Sequence, residues 1–410
     1  MVTNVLLILL DDVGVDQVSA YGYPGAPSTP VIDGLAERGL RFDHAWAMPT
    51  CSPTRAALLT GRQPLHNGVG SVIMSMQPKE LALSEVTIPE MLDLSGTDWS
   101  SAAIGKWHLS TVRSPSAEQH PHLQGFDLFA GSLNNIVSKS TLPDRGEPTY
   151  VNWERVGFDG TTALEHRFST TAIVDDTIEA VGQLQEPWFV YVPFHASHRP
   201  LMVPPDLPMA GEIDPADENA LFAANVQAAD LEIGRLLQAL GPTLDHTLVF
   251  VIGDNGTPSY AKDADGQEGE KGSFLEGGVR VPFVVAGPGV AQGAHTDALA
   301  HIVDVFPTLM ELAGVERAPA PLDGVSLWPV LRDPEATVRE LVYSEIRHPA
   351  VGPPWTRVER AVSDGHLKAI DQGGEIKVYR LEGDAEVEVT GSLTRKELRK
   401  ELPTLVLELN

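Results

Sequence analysis

The sequence predicts an α/β fold. A large, mostly parallel sheet flanked by helices is expected over residues 1–335, with a small C-terminal subdomain, 336–410, of antiparallel sheet plus helix packed on it. Three observations carry that expectation. Residues 4–10, 188–194 and 247–252 are unbroken apolar runs of strand length, as strands covered on both faces require. Each run stops at polar residues: Asp11-Asp12, His195-Ala196-Ser197-His198 and Asp254-Asn255. Beyond residue 335 the pattern changes to short segments, 341–346, 358–362, 367–370 and 377–381, that read as an antiparallel sheet, with a helical stretch at 393–409 interrupted by Pro403.

The first run follows Met1 almost directly, with no basic leader and no small-residue cleavage site, so it reads as a strand and not as a signal peptide. A single cysteine, Cys51, permits no internal disulfide, and a cytoplasmic location is expected, a removed leader being the alternative. Hydrophobic residues make up 42% of the 410, and no apolar run is long enough to span a bilayer. The net charge of −27 argues against nucleic-acid or anionic-membrane partners. Nothing in the sequence sets the oligomeric state.

Adjacent carboxylates at the end of a buried strand repel each other unless a cation lies between them, and that edge is where open α/β sheets bind ligands. Asp11 and Asp12 are such a pair, a solvated loop being the alternative. Thr29, Pro30 and Gly39 bracket a short helix as N-cap, first turn and stop. A strand near 41–46 then leads to Cys51.

Pro53 suits a first helical turn, and Ala56, Ala57, Leu58 and Leu59 continue that helix to Gly61. Cys51 therefore falls at or just before a helix N-terminus, where unpaired N–H groups favour an anion or a reactive nucleophile. Arg55 lies about one turn on and can return to the same end. A small buried cysteine at a helix cap is the plain alternative.

Residues 63–84 are loop-like, 88–94 helical, and 99–104 a strand running into G-K-W-H-L. In an extended segment Lys106 and His108 share one face while Trp107 packs on the other, setting a cation beside a proton-transfer group. Residues 134–166 read as a long excursion in which Trp153 and Phe158 anchor the loop or touch a substrate. Helices follow at 170–184, 217–240 and 304–313. Histidine titrates near neutrality, so His195 or His198 can protonate a departing alkoxide. Asp254 and Asn255 offer hard oxygen ligands for calcium or magnesium, with a tight turn as the alternative. Lys271 lies in a glycine-rich segment leading to a strand at 281–286, where Glu276 and Arg280 are expected to pair and hold the loop.

Residues 51–62, C-S-P-T-R-A-A-L-L-T-G-R, resemble the signature of the type I sulfatases, members of the alkaline phosphatase superfamily. Four further stretches resemble that family's motifs in the same order: L-L-I-L-L-D-D-V-G, G-K-W-H-L, V-F-V-I-G-D-N-G and K-G-S-F-L-E-G-G-V-R-V-P. The resemblance covers nearly the whole chain and implies an alkaline phosphatase-like fold for its larger part.

It also implies that Cys51 is oxidised to formylglycine by a formylglycine-generating enzyme. The hydrated aldehyde attacks sulfur with one hydroxyl and expels sulfate with the other. Asp11, Asp12, Asp254 and Asn255, with the residue derived from Cys51, would hold a divalent metal, calcium first and magnesium or manganese next. Arg55, Lys106, His108, Lys271 and His198, with His195 as the alternative, would form the rest of the catalytic set.

The implied activity is hydrolysis of a small-molecule sulfate monoester: aryl, alkyl or sugar. The nearest rival is a phosphonate monoester or phosphodiester hydrolase on the same core. A rival of another class is a non-catalytic metal-binding protein that keeps the Cys51 thiol.

Overall fold

The computed structural model describes residues 4–136, 153–205, 213–262 and 266–389. Its larger part is built on strands β1 (Asn4–Leu10), β2 (Gly39–Trp46), β3 (Ser100–Lys106), β4 (Leu128–Ser132), β5 (Trp153–Val156), β6 (Thr162–Glu165), β7 (Trp188–Pro193), β8 (Thr247–Gly253), β9 (Phe283–Ala286) and β10 (Ala294–His301). They form one sheet in the order β10-β2-β9-β8-β1-β7-β3-β4-β5-β6. The centre, β8-β1-β7-β3-β4, is parallel throughout, while β9, β5 and β6 pair antiparallel to their neighbours.

The apolar runs are continuous because each central strand feeds two cores. Successive side chains of a strand point to opposite faces. Val5, Leu7 and Leu9 therefore join one core, with Phe189, Tyr191, Leu248, Phe250 and Ile252. Leu6, Ile8 and Leu10 join the other, with Val190, Val192, Val249 and Val251. Helices Cys51–Thr60 and Val305–Leu312 cover the first face; Pro30–Arg38, Ser169–Gln183 and Glu218–Leu240 cover the second. Each fully buried aliphatic side chain contributes roughly 1.5–3 kcal/mol, so a polar residue at any of these positions would be costly.

Strands β11 (Val342–His348), β12 (Arg357–Ser363), β13 (Leu367–Gln372), β14 (Glu375–Glu382) and β15 (Ala385–Glu388) form a second, antiparallel sheet in chain order. One face, with Val342, Ala361 and Ile370, packs on Trp46, Phe274 and Val279 of the larger unit. The other gathers Val362, Ala369, Ile376 and Val378.

Several expectations are corrected. The long excursion contains the hairpin β5–β6 at the sheet edge, whose four-residue strands are too short to show a period. Strands β4, β10 and β15 are further additions, and residues 64–67 form one helical turn inside the expected loop. Thr29 precedes its helix without capping it: its hydroxyl donates to Asp33 Oδ1 at 3.1 Å, and the adjacent N–H groups of Val31 and Ile32 are taken by Asp230. The helix expected at 393–409 lies outside the described residues.

Candidate active site

Register brings the polar strand ends together. Leu10 of β1 lies opposite Gly253 of β8, and Leu9 opposite Pro193 of β7. Asp11-Asp12, Asp254-Asn255 and the 195–198 segment therefore leave the sheet side by side at its carboxyl edge. Their backbones are stitched together: Asp254 N donates to Leu10 O (2.9 Å), Asp11 N to Ala196 O (3.0 Å) and Ser197 N to Asp11 O (2.7 Å). β3, next to β7, delivers Lys106 to the same edge.

The helix Cys51–Thr60 arrives from β2 with its N-terminus over this edge, and all ten of its residues are buried. Met48 N donates to Thr54 Oγ1 (3.1 Å) and Ile73 N to Ser52 Oγ (3.1 Å), which fixes the approach to Cys51. Gly61 ends the helix at φ 67, a left-handed conformation that glycine takes without a Cβ penalty.

Asp11, Asp12, Cys51 and Asp254 present ligand atoms within 4.8 Å of one another, all buried. The Cys51 thiol donates to Asp11 Oδ1 at 3.5 Å, and Lys271 Nζ donates to Cys51 Sγ at 3.4 Å and to Asp12 Oδ1 at 2.5 Å. Lys106 Nζ pairs with Asp11 Oδ2, and Arg55 Nη2 lies 2.8 Å from Asp254 Oδ2 and 3.5 Å from Asp11 Oδ2. Asp12 N donates to Asp254 Oδ1 (3.0 Å) and Asn255 Nδ2 to Asp12 Oδ1 (2.9 Å), while Asn255 Oδ1 is buried without a partner among the described residues.

Three carboxylates thus face three cations in a buried volume, and the crowding shows in their acidity. Burial, with Asp11 beside it, pushes the Asp254 carboxyl up to about 6 despite Arg55. Burial acts the same way on Asp12, but Lys271, His198 and Lys106 outweigh it and hold that carboxyl well below its ordinary value. The Cys51 thiol is pushed up by burial and by Asp254. The carboxylates and the orphaned amide oxygen of Asn255 make a hard, oxygen-rich donor set, which fits a divalent cation.

His108 is fully buried, and neither ring nitrogen has a partner among the described residues. Burial, then Lys106 and Arg55, hold it well below its ordinary pKa, so the ring is neutral. The expected extended geometry of Lys106 to His108 is corrected: β3 stops at Lys106, and His108 has φ 58. Trp107 nonetheless turns to the opposite side, donating from Nε1 to His120 Nδ1 at 2.9 Å within the core.

The two histidines after β7 separate clearly. His198 Nε2 faces Asp12 Oδ2 at 3.9 Å, and burial together with Lys106 lowers its pKa to about 4. His195 points away, with Nε2 2.6 Å from Ser132 Oγ and its ring 5.4 Å from that of Trp153. Trp153 is buried against His195, and Phe158 packs on the core, so both serve the loop's own anchoring.

The expected Glu276–Arg280 pair is also corrected. Glu276 pairs with Lys368 at 2.8 Å and Arg280 with Asp384 at 3.0 Å, both partners coming from the small sheet. Sequence reasoning missed Thr257, whose hydroxyl donates to Asp16 Oδ1 (2.6 Å) and accepts from Gly14 N (3.2 Å) while its carbonyl accepts from Lys271 N (2.9 Å). It missed Tyr191 too, which lies close to Arg55 from within an apolar strand. Neither carries a local signal.

Residues 3–315 match the family model described as Sulfatase. The chain belongs to the sulfatase family. Human N-acetylgalactosamine-6-sulfatase is 32% identical over 371 residues, covering 83% of this chain and 68% of that protein. Arylsulfatase A of Bos taurus is 31% identical over 364 residues, covering 80% and 67%. The crystal structure of Ps i-CgsB in complex with k-i-k-neocarrahexaose matches with a TM-score of 0.81 and 26% identity, covering 100% of this chain and 92% of that one. This sulfatase is a sulfuric ester hydrolase, and the formylglycine mechanism is general to its family.

Proposed function

We propose that the sulfatase hydrolyses a sulfate monoester of a sugar, using formylglycine made from Cys51 and a calcium ion held by Asp11, Asp12, Asp254 and Asn255. The observation that carries the reading is the Cys51 thiol, buried at a helix N-terminus between Asp11 and Lys271. Its sulfur stands in for an oxygen of the oxidised residue. The sugar class is supported by the relatives named for N-acetylgalactosamine-6-sulfate and bound to a neocarrahexaose.

The hydrated aldehyde would supply an oxygen nucleophile that displaces the alcohol from sulfur, and a second hydroxyl whose loss of a proton breaks the carbon–oxygen bond, frees sulfate and restores the aldehyde. A divalent cation held by Asp11, Asp12, Asp254 and Asn255 would supply positive charge to the sulfate. Lys106 and Lys271 hold the sulfate from two sides, each already placed against a carboxylate that fixes its ammonium. Arg55, fully buried, offsets Asp254 and Asp11 and donates from Nη1 to Lys106 O at 2.6 Å, keeping that lysine's backbone in register.

His108, neutral and unpartnered, offers a hydrogen bond at the reacting oxygens. Once substrate binding has put a second proton on its ring, His198 gives the proton that the leaving alkoxide takes. Its Nδ1 donates to Arg199 O at 2.6 Å, which leaves Nε2 toward the site, and the sulfate's negative charge favours a proton there. Maturation requires a formylglycine-generating enzyme as partner.

The test has two arms. The mass of tryptic peptide 42–55, from protein made with a formylglycine-generating system, should show an aldehyde in place of the thiol. Sulfate release from N-acetylgalactosamine sulfate should exceed that from an aryl sulfate, and both should exceed turnover of aryl phosphonate and phosphodiester. An unmodified thiol sinks the mechanism; preference for the phosphonate sinks the substrate assignment.

A further inference from the structure

The geometry points to Lys368 as a positioning residue that sets, through Glu276, the place of Lys271 relative to Cys51. The inference rests on the proposed role of Lys271 in holding sulfate. Lys368 stands on β13, which is hydrogen-bonded to β12 on one side and β14 on the other, so its backbone is held by the sheet. Its side chain is fully buried, yet it leaves the small sheet to reach the larger unit. There Nζ lies 2.8 Å from Glu276 Oε1, 3.0 Å from Glu386 Oε1 and 4.7 Å from the centre of the Trp46 ring. Glu386 Oε2 accepts from Glu276 N at 2.5 Å, so the small sheet grips Glu276 by side chain and backbone together.

Those partners belong to the two segments that deliver the chemistry. Trp46 ends β2, five residues before Cys51, and Glu276 lies five residues after Lys271. The segments lie against each other: Ala47 N donates to Val279 O (2.8 Å), Val281 N to Ala45 O (3.0 Å) and Gly272 N to Pro49 O (2.9 Å). Between Lys271 and Glu276 the loop is closed on itself by Ser273 N to Glu270 O (2.9 Å) and Gly277 N to Glu268 O (2.6 Å). A shift at Glu276 therefore passes to Lys271, whose ammonium must stay near both Asp12 and Cys51.

Burying two carboxylates and one ammonium is a poor way to gain stability, because well-packed apolar side chains serve that end as well. A charge-assisted triad instead fixes direction and distance. Lys368 touches none of the reacting groups, and its effect is exerted through Lys271.

The experiment is a double-mutant cycle, read as kcat/KM for an aryl sulfate and as competitive inhibition by inorganic sulfate. Lys368→Met should lower both kcat/KM and sulfate affinity by about 100-fold, the scale of a displacement near 1 Å. In a Lys271→Ala background the same substitution should cost less than about threefold, since the residue it positions is gone. Glu386→Ala should behave alike at roughly tenfold, and decides the matter by the same criterion if Lys368→Met does not fold.

Lys377→Met, which removes an exposed pair with Glu388 on the same sheet, should leave the kinetics unchanged. Effects that multiply in full in the Lys271→Ala background overturn the inference. Wild-type kinetics for Lys368→Met with only a lowered thermal midpoint also overturn it. A wild type that binds sulfate but hydrolyses no ester overturns the proposed function instead, and the cycle is then read through sulfate affinity alone.

Discussion

Arg55→Met tests how the site balances its charges. The guanidinium is fully buried, 2.8 Å from Asp254 Oδ2 and 3.5 Å from Asp11 Oδ2, and it is the donor to Lys106 O. Methionine keeps much of the volume and removes the charge, leaving Asp254 with no cation at ion-pair distance among the described residues and Lys106 O without that donor. Breaking one side of a buried pair costs about 3–5 kcal/mol, because the Asp254 carboxyl, already pushed up to about 6, must then stay charged out of water or take up a proton. Unfolding entropy near 2.1 cal/mol/K per residue gives roughly 0.9 kcal/mol/K for the 410-residue chain, so the thermal midpoint should fall by about 3–6 °C in chelator.

Arg55→Met/Asp254→Asn should recover about half of that loss, since the stranded carboxylate is gone. The assay is differential scanning calorimetry on both variants and the wild type, without divalent metal. A single variant within about a degree of wild type, or a double variant that loses the sum of both singles, would mean that Arg55 does not offset Asp254.

Three further outcomes are expected. Chelation should lower the thermal midpoint and calcium should restore it, by about 2.7 kcal/mol of stability at a hundred times the dissociation constant; indifference to calcium, magnesium and manganese would remove the metal from the cluster. Because the substrate is an anion and the protein carries −27, kcat/KM should rise from low to physiological salt as the unfavourable field is screened, and a flat or falling profile counts against this. Asp230, which accepts from Val31 N and Ile32 N, is pushed up by burial from 3.8 to about 6. The fold therefore favours its protonated form, and its contribution to stability is lost as pH rises from about 4 to about 6, by up to roughly 3 kcal/mol. Asp230→Asn should remove that slope, and equal pH profiles for mutant and wild type would contradict it.

Much of the central sheet was legible because its strands are covered on both faces and so read as continuous apolar runs. β1, β7 and β8 are of this kind, and each exposes its chemistry immediately after its last apolar residue. The short strands β5, β6 and β15, at or next to a sheet edge, were not legible. Four residues with mixed burial carry no period, and what makes them strands is the partner alongside. The geometry at His108 was equally hidden, because a left-handed φ in a histidine is imposed by its surroundings and is not a propensity of the residue.

Which side chains are available to the site, and roughly where along the chain each is released, can be read from the residues in order. Those properties are local: strand ends, a helix start at Cys51, a glycine-rich loop around Lys271. Who faces whom is settled by folding. Lys106 meets Asp11 across 95 residues, Lys271 meets Asp12 across 259, and Glu276 takes Lys368, 92 residues away, over the nearby Arg280. His198 turns to Asp12 while His195, three residues earlier, turns to Ser132. The physical reason is that an ion pair or hydrogen bond in a buried site is selected within a few ångströms by sheet order and register, and hydrophobic patterning specifies faces without naming the partner that each polar group will meet.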